Sequence, residues 1–464
     1  MENPLDALII GAGISGLACL WRLRRLGFDA VCVEASERVG GSIRSHRRDG
    51  FLVEGAASGL HAAAELLELV HEVGLADEIV PAPPRLPRFI YRQERLHPAP
   101  LAAAGLLSTR LLSLRGKGRL LGELWVAPRP DGGEESIDSF FARRFGREAA
   151  EAIVAPFVSG TFAGDAVRLS VHAVFPALVE LEARFGGVIR GLLRRGRDGA
   201  GSAPRARTVI SFRDGLETLC RRIHQRLGDG VQLGVRAERI ERAGCFRVSL
   251  RAAGGTRTVA ARAVVLAAPP AAAAVALGAL APDAGRALGE IEGPPLACVS
   301  LAWPRSRVEH PLAGFGFLVA PGEPARILGC FWGSSLFPDR APPDHVALTS
   351  FVGGSRDPEG GLLDDAPLVD AVSRDLARIV GARGRPRVVS IDRHAQAIPQ
   401  YAIGHTDRVR RIRAGLDAVP GLFVTGNYLG GIGVGDCVRQ AGVAAAAVGA
   451  FLRSAAAVAP LAYR

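Results

Sequence analysis

The chain opens with the stretch Ala7-Leu8-Ile9-Ile10-Gly11-Ala12-Gly13-Ile14-Ser15-Gly16, an apolar run that ends in three spaced glycines. The run predicts a buried strand, and the spacing of Leu17, Leu20, Leu23 and Leu26 predicts a helix after it. In such a turn the first glycine permits a tight bend, the second lets a phosphate approach the backbone, and the third lets helix and strand pack closely. The unpaired N–H groups at the start of the helix stabilise the negative charge of the phosphate. The stretch therefore predicts a dinucleotide-binding turn.

A carboxylate at the end of the second apolar run supports this prediction. Glu34 lies 23 residues after Gly11, and a carboxylate about 20 residues after the first glycine commonly binds ribose hydroxyls. Three spaced glycines alone are weak evidence, because a purely structural turn uses them too. The strand, the helix and Glu34 together favour nucleotide binding over that structural alternative.

Further stretches extend the pattern beyond a plain dinucleotide fold. They are Glu37-Arg38-Val39-Gly40-Gly41-Ser42-Ile43-Arg44, Gly50-Phe51-Leu52-Val53-Glu54-Gly55-Ala56-Ala57-Ser58, Phe212-Arg213-Asp214-Gly215-Leu216-Glu217, Ala263-Val264-Val265-Leu266-Ala267-Ala268-Pro269, Val424-Thr425-Gly426-Asn427 and Gly431-Ile432-Gly433-Val434-Gly435-Asp436. Together they resemble the flavin amine-oxidase superfamily, in which both chain ends converge on one FAD. One phrase departs from that pattern, since the family usually has Gly-Pro-Asn-Ser where this chain has Gly55-Ala56-Ala57-Ser58. Losing the proline frees the local backbone.

The resemblance implies non-covalently bound FAD. An arginine and paired glycines after the second strand would lie along the pyrophosphate, Val235 would meet the adenine through its backbone, and the turn near Gly433 would cover the flavin ring. Nothing resembles a covalent flavin–cysteine signature, so we expect Cys437 to be a packing residue. The expected cofactor-binding residues are Gly11, Gly13, Ile14, Ser15, Gly16, Glu34, Ala35, Arg38, Gly40, Gly41, Ser42, Gly55, Ala56, Ser58, Val235, Ala268, Gly426, Asn427, Gly433 and Val434.

Composition and charge predict a globular protein with an anionic partner. Of the 464 residues, 48% are hydrophobic and 22% are charged, and the net charge is +11. Such a charge attracts lipid, nucleic acid or a carboxylate ligand. No nucleic-acid-binding module is visible, so we predict a membrane surface and an anionic ligand. Lys117 is the only lysine. Many amine oxidases of the superfamily hold a water at the flavin through a lysine, so the lack of one in the substrate half argues against amine oxidation.

The seven cysteines are scattered, odd in number and never spaced as C-x-x-C. This pattern is typical of reduced, buried cysteines in a cytoplasmic protein, and we predict no metal site. We also expect no signal peptide and no spanning helix, since the first strand begins at once and no run of about 18 apolar residues occurs. The sequence thus predicts a cytoplasmic protein that contacts the inner face of the cell membrane peripherally. The oligomeric state stays open, a homodimer included.

The predicted fold class is α/β (α+β overall). A discontinuous Rossmann-like FAD-binding domain is expected over residues 1–85, 205–270 and 395–464. Residues 86–204 are predicted to form a helical insert that docks on a membrane and contributes to the substrate cavity. Residues 271–394 are predicted to form an antiparallel-sheet substrate domain with one helix. The expected strands and helix of that domain are Ala297 to Trp303, Phe315 to Ala320, Arg326 to Trp332, Val346 to Val352 and the helix Leu368 to Val380.

Leucines at three-and-four spacing between residues 101 and 124 predict the helices of the insert. Gly116 and Gly118 are expected to break this segment into two short helices. Arg110, Arg115 and Lys117 are interleaved with the leucines. An apolar face with basic neighbours suits a membrane interface, and it equally suits an ordinary packed helix with a solvated basic side.

Four more stretches narrow the resemblance to the oxygen-dependent protoporphyrinogen oxidases over nearly the whole chain. They are Pro87-Arg88-Phe89-Ile90-Tyr91, Ser159-Gly160-Thr161-Phe162-Ala163-Gly164-Asp165, Gly314-Phe315-Gly316-Phe317-Leu318-Val319 with Leu328-Gly329-Cys330-Phe331-Trp332, and Pro399-Gln400-Tyr401-Ala402-Ile403-Gly404-His405. This resemblance implies a porphyrinogen as substrate. Six hydrogens would leave in three two-electron steps, and O2 would reoxidise FAD each time to give H2O2. The cofactor would carry most of the chemistry.

The same resemblance implies roles for five residues. Arg88 matches an arginine that pairs with a ring propionate, and Gly164 matches a glycine at the flavin–substrate junction. Leu301, Leu312 and Phe331 are candidates to sandwich the macrocycle, with plain core packing as the alternative. No side chain is assigned acid–base catalysis, and His405 is expected to be structural.

Several alternatives remain open at this stage. Coproporphyrinogen III carries four propionates rather than two, and it would call for more arginines around the cavity. A carotenoid desaturase or an amine oxidase of the same superfamily is a more distant alternative. From a different class, the chain could be a flavin-binding scaffold without turnover, which side chains blocking the flavin face near Gly164 would favour.

Overall fold

The computed structural model describes residues 3–100, 103–129, 133–197 and 208–457. Strands within these ranges build two large sheets and two small ones. The strands are β1 (Leu5–Ile10), β2 (Ala30–Val33), β3 (Ser45–Arg48), β4 (Phe51–Glu54), β5 (Leu60–His61), β6 (Ile79–Pro81), β7 (Arg88–Arg92), β8 (Arg95–Pro98), β9 (Val209–Phe212), β10 (Val231–Gln232), β11 (Arg236–Ala243), β12 (Cys245–Ala252), β13 (Gly255–Leu266), β14 (Leu296–Pro304), β15 (Gly316–Val319), β16 (Ile327–Phe331), β17 (His345–Gly353), β18 (Arg387–His394) and β19 (Leu422–Val424).

Helices cover the sheets and fill the segment between β8 and β9. The α-helices are α1 (Ile14–Arg25), α2 (Ala64–Glu72), α3 (Ala103–Ser108), α4 (Leu114–Leu121), α5 (Ile137–Phe145), α6 (Arg147–Ala149), α7 (Ala155–Phe162), α8 (Val171–Val174), α9 (Pro176–Phe185), α10 (Val188–Arg197), α11 (Glu217–Leu227), α12 (Pro270–Leu277), α13 (Pro282–Gly289), α14 (Gly333–Leu336), α15 (Asp365–Val380), α16 (His405–Asp417) and α17 (Val434–Ala457). Short 3-10 helices lie at Ala76–Glu78, Gly122–Trp125, Gly228–Gly230, Arg305–Arg307 and Gly360–Leu362, and a π-helical turn lies at Ala150–Val154.

The first large sheet has a parallel core that brings both ends of the chain together. Its order is β10-β2-β1-β13-β12-β11, and β19 pairs with β13. Strands β10, β2, β1, β13 and β19 run parallel, whereas β11 and β12 join as an antiparallel extension. Buried strands such as β1 are apolar because helices cover both faces. Helices α1 and α17 pack on one face in a shared core that includes Leu17, Leu20, Val438 and Val448. The expected Rossmann-like parallel sheet is confirmed.

The second large sheet has the order β18-β14-β17-β16-β15-β7-β8. Its central strands pair antiparallel, and the four predicted strands and the helix of this region appear as β14 to β17 and α15. The expectation of an antiparallel sheet from residues 271–394 needs one correction. The hairpin β7–β8 joins the sheet, and β7 runs parallel to β15 with Arg88 opposite Gly316. Residues 88–98, expected within the helical insert, therefore widen this sheet.

The insert is otherwise helical, and its first break lies earlier than expected. Helix α4 runs through Gly116 and Gly118 without interruption, and the break falls between Ser108 and Leu114. Ser113 caps α4, since its Oγ accepts a hydrogen bond from the Gly116 N–H at 3.1 Å. A serine at this position satisfies a helix-end donor that would otherwise lack a partner. The Ser113 cap therefore sets where α4 begins, and the low helix propensity of Gly116 and Gly118 does not interrupt the helix. The predicted boundary at residues 204 and 205 lies outside the described residues.

The surface of the insert leaves several large apolar side chains in contact with solvent. Leu114, Trp125 and Leu193 are 86%, 78% and 63% exposed. Within the part of the chain that the structure describes, no helix is long and apolar enough to span a bilayer. Peripheral membrane contact through this surface stays a prediction.

Candidate functional site

A cavity of about 1430 Å³ runs from the carboxyl ends of the parallel strands to the second large sheet. One end is lined by the turn after β1, the loop after β2 and the turn before α17. The other end is lined by residues of β7, α7, β15 and β16. Ligand pockets commonly measure about 300–1,000 Å³. A cavity of this size can therefore hold a cofactor and a second molecule beside it.

The turn after β1 has the geometry that its three glycines predict. Gly11 has φ +107°, and a Cβ there would lie 2.8 Å from the Ala267 carbonyl oxygen. A Cβ on Gly16 would lie 1.9 Å from the Gly11 oxygen, so α1 could not approach the turn with any other residue. At Gly13 a Cβ would meet only the Gly41 Cα at 4.0 Å, so this position faces open space in the cavity.

The N-terminus of α1 supplies the electrostatics of an anion site. Gly13 is the N-cap residue and has no side chain to cap the helix, and the first turn carries no acidic residue. The first backbone N–H groups of a helix lack partners within it and carry partial positive charge. At this helix they lie on the cavity wall at Ile14 and Ser15. A bound phosphate would satisfy them.

Glu34 lies beside this turn in a fixed orientation. Its Oε2 accepts a hydrogen bond from the Ala12 N–H at 2.8 Å, and its Oε1 accepts from the N–H and the hydroxyl of Ser36, both at 2.9 Å. The carboxylate is therefore held at the cavity wall, and its remaining lone pairs can accept hydrogen bonds from the hydroxyls of a diol. Ser36 was not predicted from the sequence, and its spacing of two residues from Glu34 is the signal that could have identified it.

The loop after β2 closes over the same region. Gly13 and Gly40 form an isolated parallel bridge, which places two glycine backbones face to face. Arg38 donates hydrogen bonds to the carbonyl oxygens of Val39 and Ile43 at 3.1 and 3.2 Å. This arginine thus holds its own loop while lining the cavity.

Most of the expected cofactor residues meet at the cavity, although they come from widely separated parts of the sequence. Gly16 and Gly55 are the exceptions, because Gly16 packs against Gly11 and Gly55 packs against Asp392. The residues that line it are Gly11, Gly13, Ile14, Ser15, Glu34, Ala35, Arg38, Gly40, Gly41, Ser42, Ala56, Ser58, Val235, Ala268, Gly426, Asn427, Gly433 and Val434. Ser58 adds a further observation, since its buried Oγ has no hydrogen-bond partner among the described residues. These residues fit a flavin dinucleotide, because the glycine turn after β1, the Glu34 carboxylate and the turn before α17 all meet in one cavity.

The expected substrate residues divide into two groups. Arg88 and Phe331 line the cavity. Leu301 and Leu312 do not, because both are buried in the hydrophobic core beneath the second sheet, at 0% and 2% exposure. Gly164 is also outside the lining, and a Cβ there would point at the Gln400 Oε1 and the Leu169 side chain. The neighbouring Ala163 reaches the cavity instead. The expected ring contacts of Leu301, Leu312 and Gly164 therefore need correction.

Arg88 is the most informative polar group at this end of the cavity. Its guanidinium lies over the Phe315 ring, 4.5 Å from the ring centroid, and Phe315 makes an edge contact with Phe331 at 5.3 Å. Within the described ranges no carboxylate pairs with this guanidinium. Partial burial lowers the pKa of Arg88 from its usual value, because desolvation disfavours the charge. An anionic ligand would compensate for that loss of solvation.

The rest of this end is apolar and aromatic, and sequence reasoning missed most of it. Phe89 lies next to Arg88 in a phrase that was already distinctive, and Phe315 and Leu318 lie in another such phrase. The additional apolar lining residues include Phe141, Ile153, Val154, Phe157, Phe175, Leu328 and Phe351.

His405 lies behind the turn that precedes α17, as expected for a structural histidine. It is 3% exposed, and its Nε2–H donates to the Tyr428 carbonyl oxygen at 3.0 Å. Burial lowers the pKa of His405 to about 4 from the usual 6.5. The ring is therefore neutral at pH 7.

We expect His405 to make stability depend on pH. The unfolded chain binds a proton near pH 6.5 and the folded chain only near about pH 4, so the contribution is full above pH 6.5 and is lost as the pH falls. The Tm of the parent should fall more steeply across this window than the Tm of His405→Gln, which cannot titrate. Thermal melts at several pH values measure the difference, and parallel curves would contradict the prediction.

Comparison with known proteins agrees with this geometry. A model of the family described as flavin containing amine oxidoreductase matches residues 14–449. Protoporphyrinogen oxidase 1 of Spinacia oleracea chloroplasts is 34% identical over 97% of this chain and 84% of its own length. Coproporphyrinogen III oxidase of Bacillus subtilis is 30% identical over 95% of this chain and 97% of its own length.

A solved structure agrees with both sheets. A provisionally named protoporphyrinogen oxidase from Exiguobacterium sp. 255-15 superposes with a TM-score of 0.82 at 26% identity, covering 98% of this chain and all of the other. The fold is thus the mixed α/β fold of amine oxidases, with a parallel and a largely antiparallel sheet. The chain belongs to the flavin-containing amine oxidoreductase family, and its relatives over nearly the full length include protoporphyrinogen oxidases.

Proposed function

We propose that this protein is an FAD-dependent porphyrinogen oxidase that converts protoporphyrinogen IX to protoporphyrin IX with O2 as acceptor. The observation that carries the proposal is Arg88. Its guanidinium, without a carboxylate partner among the described residues, lies in an otherwise apolar end of the cavity whose other end holds the dinucleotide turn. A flat apolar ring with carboxylates on one edge is complementary to that arrangement.

The chain's own residues would bind, orient and desolvate the substrate. When bound, FAD would supply the hydride acceptor, which O2 would return to its oxidised form. Phe331 and its apolar neighbours would cover the macrocycle, while Arg88 would fix the propionate edge through two parallel N–H···O bonds. This anchoring sets which ring carbon points at the cofactor, and orientation of this kind is a large part of catalysis. Three rounds of oxidation would remove six hydrogen atoms from the ring and form three molecules of H2O2.

Coproporphyrinogen III oxidation is the second candidate, because the Bacillus subtilis relative carries that name. Four propionates would call for several free cations at the apolar end of the cavity. Four other arginines among the described residues line the cavity. Arg393 pairs with Asp365 and Arg38 binds its own loop, whereas Arg44, in the loop after β2, and Arg236, at the start of β11, lie at the end that holds the dinucleotide turn. The apolar end of the cavity therefore offers few unpaired guanidinium groups, which favours a substrate with fewer carboxylates.

The remaining alternatives fit less well. A carotenoid desaturase needs no carboxylate anchor, which leaves Arg88 unexplained, and the single lysine, Lys117, does not line the cavity. A scaffold protein without turnover would have a blocked flavin face. The cavity is instead open beside Ala163, with Gly164 turned away from it.

A direct assay tests the proposal. The purified protein, loaded with FAD, is given protoporphyrinogen IX or coproporphyrinogen III in air, and porphyrin fluorescence and H2O2 are followed. We expect a higher kcat/KM on protoporphyrinogen IX, with three H2O2 per porphyrin. Activity on neither substrate with FAD bound would overturn the proposal, and a preference for coproporphyrinogen III would replace it with the second candidate.

A further inference from the structure

The turn between β19 and α17 forms a wall of the cofactor end of the cavity, and we refer to residues 426–433 as the C-terminal turn. Gly426, Asn427, Tyr428, Ile432 and Gly433 all line the cavity. This turn has no strand or helix ladder of its own. Side chains of α17 bind its second half, since Arg439 donates to the Gly430 carbonyl oxygen at 2.9 Å and Asp436 Oδ2 accepts from the Gly433 N–H at 3.3 Å. Its shape therefore depends on what binds its backbone from outside.

One side chain bridges two backbone positions of the C-terminal turn that lie four residues apart. The Tyr401 hydroxyl donates a hydrogen bond to the Asn427 carbonyl oxygen at 2.5 Å and accepts one from the Gly431 N–H at 2.9 Å. A hydroxyl group can do both at once, because it has one donor and two lone pairs. Tyr401 is 2% exposed, and burial raises its pKa above the usual value, so the hydroxyl keeps the proton that it donates.

The ring of Tyr401 is held as firmly as its hydroxyl. It stacks on the His405 ring with centroids 4.1 Å apart and planes inclined by 11°. His405 in turn donates to the Tyr428 carbonyl oxygen at 3.0 Å, in the middle of the same turn. The two rings thus act as one unit that binds the turn at three backbone positions.

Tyr401 also connects the turn to the helices at the substrate end. Its carbonyl oxygen accepts a hydrogen bond from the Ser170 N–H at 2.8 Å. Glu134 strengthens this connection, since its Oε2 accepts from the Gly404 N–H at 2.7 Å and its Oε1 accepts from the Ser170 hydroxyl. The position of Tyr401 is therefore fixed by residues outside the turn that it holds.

We propose that Tyr401 is a positioning residue for the cofactor, which holds the C-terminal turn in the shape that receives the flavin ring. The inference rests on the proposed binding of FAD in this cavity. Tyr401 does not line the cavity, so it acts through the turn. Removing its hydroxyl leaves the Asn427 oxygen and the Gly431 N–H without this partner, and each needs water or a new conformation.

The test compares two variants that each remove one buried hydroxyl. Tyr401→Phe loses both bridging bonds, whereas Tyr91→Phe loses a hydroxyl that has no hydrogen-bond partner among the described residues and lies outside the cavity lining. Apoprotein is titrated with FAD and followed by flavin fluorescence, and Tm is measured with and without FAD. Hydrogen exchange of the Gly431 amide reports on the turn directly.

We expect Tyr401→Phe to bind FAD about 10-fold more weakly, as the loss of one to two buried hydrogen bonds implies. The rise in Tm on adding FAD should shrink, and the Gly431 amide should exchange faster in the apoprotein. Tyr91→Phe should match the parent. Equal FAD affinity in Tyr401→Phe and the parent, or unchanged exchange at Gly431, would overturn the inference and leave the proposed function intact. A parent that binds no FAD would overturn both.

Discussion

The variant Gly13→Val is expected to fold like the parent and to bind FAD at least about 100-fold more weakly. Gly13 has an extended backbone conformation that valine adopts freely, and a Cβ there meets only one atom, 4.0 Å away. The new side chain would project into the cavity where the phosphate has to approach the first turn of α1. A loss of about 3 kcal/mol corresponds to a 100-fold change in affinity. Equilibrium titration of the apoprotein with FAD gives the Kd.

Gly254→Val is the matched control. Gly254 lies in the turn between β12 and β13, a Cβ there has no atom within 4 Å, and the residue is remote from the cavity lining. Its Tm and FAD affinity should equal those of the parent. Tight FAD binding by Gly13→Val would show that the phosphates do not lie at this turn, and the assignment of the cofactor end would then be wrong.

The variant Arg88→Ala should raise KM for protoporphyrinogen IX about 10- to 100-fold and lower kcat much less. We expect this because the variant loses the charge-assisted hydrogen bonds between the Arg88 guanidinium and a substrate propionate, which contribute about 1.5–3 kcal/mol. A contact made equally in the ground and transition states appears mainly in KM. Steady-state assays of porphyrin formation at several substrate concentrations separate the two constants, and FAD affinity should stay unchanged.

Two further variants make the Arg88 experiment specific. Arg88→Lys keeps the charge but loses the planar fork, so it should recover only part of the affinity. Arg95→Ala removes an exposed arginine from the adjacent strand β8, outside the cavity lining, and should behave like the parent. If Arg88→Ala has the parent's KM, the propionate assignment is wrong even if the protein oxidises porphyrinogens.

The cofactor end could be predicted from the sequence because its constraints are local. Gly11 has a positive φ, Gly16 is required because a Cβ there would clash with the Gly11 oxygen five residues earlier, and Glu34 follows a strand that pairs directly with β1. Local constraints of this kind leave a recognisable spacing in the chain. The parallel sheet and the strands β14 to β17 were predictable for a related reason, since each is a short apolar run between turn residues.

The substrate end could not be predicted in the same way. Strand β14 has a partner strand on each side, and nearly all its residues are buried, so nothing in its sequence shows which face looks into the cavity. Leu301 therefore resembled a lining residue although it lies in the core. The pairing of β7 with β15 joins residues more than 220 positions apart, and no local pattern encodes it. The bridge that Tyr401 makes to Asn427 and Gly431 is equally a product of tertiary structure.

The shared core of α1 and α17 has a consequence for how the cofactor end of the cavity forms. Two of its walls, the glycine turn after β1 and the segment from Gly426 to Val434, lie more than 400 positions apart in the sequence. Because Val438 and Val448 of α17 pack in one core with Leu17 and Leu20 of α1, the two walls come together only when these helices dock. Any truncation that removes α17 would therefore remove one wall of the cavity and the packing partner of α1 at the same time.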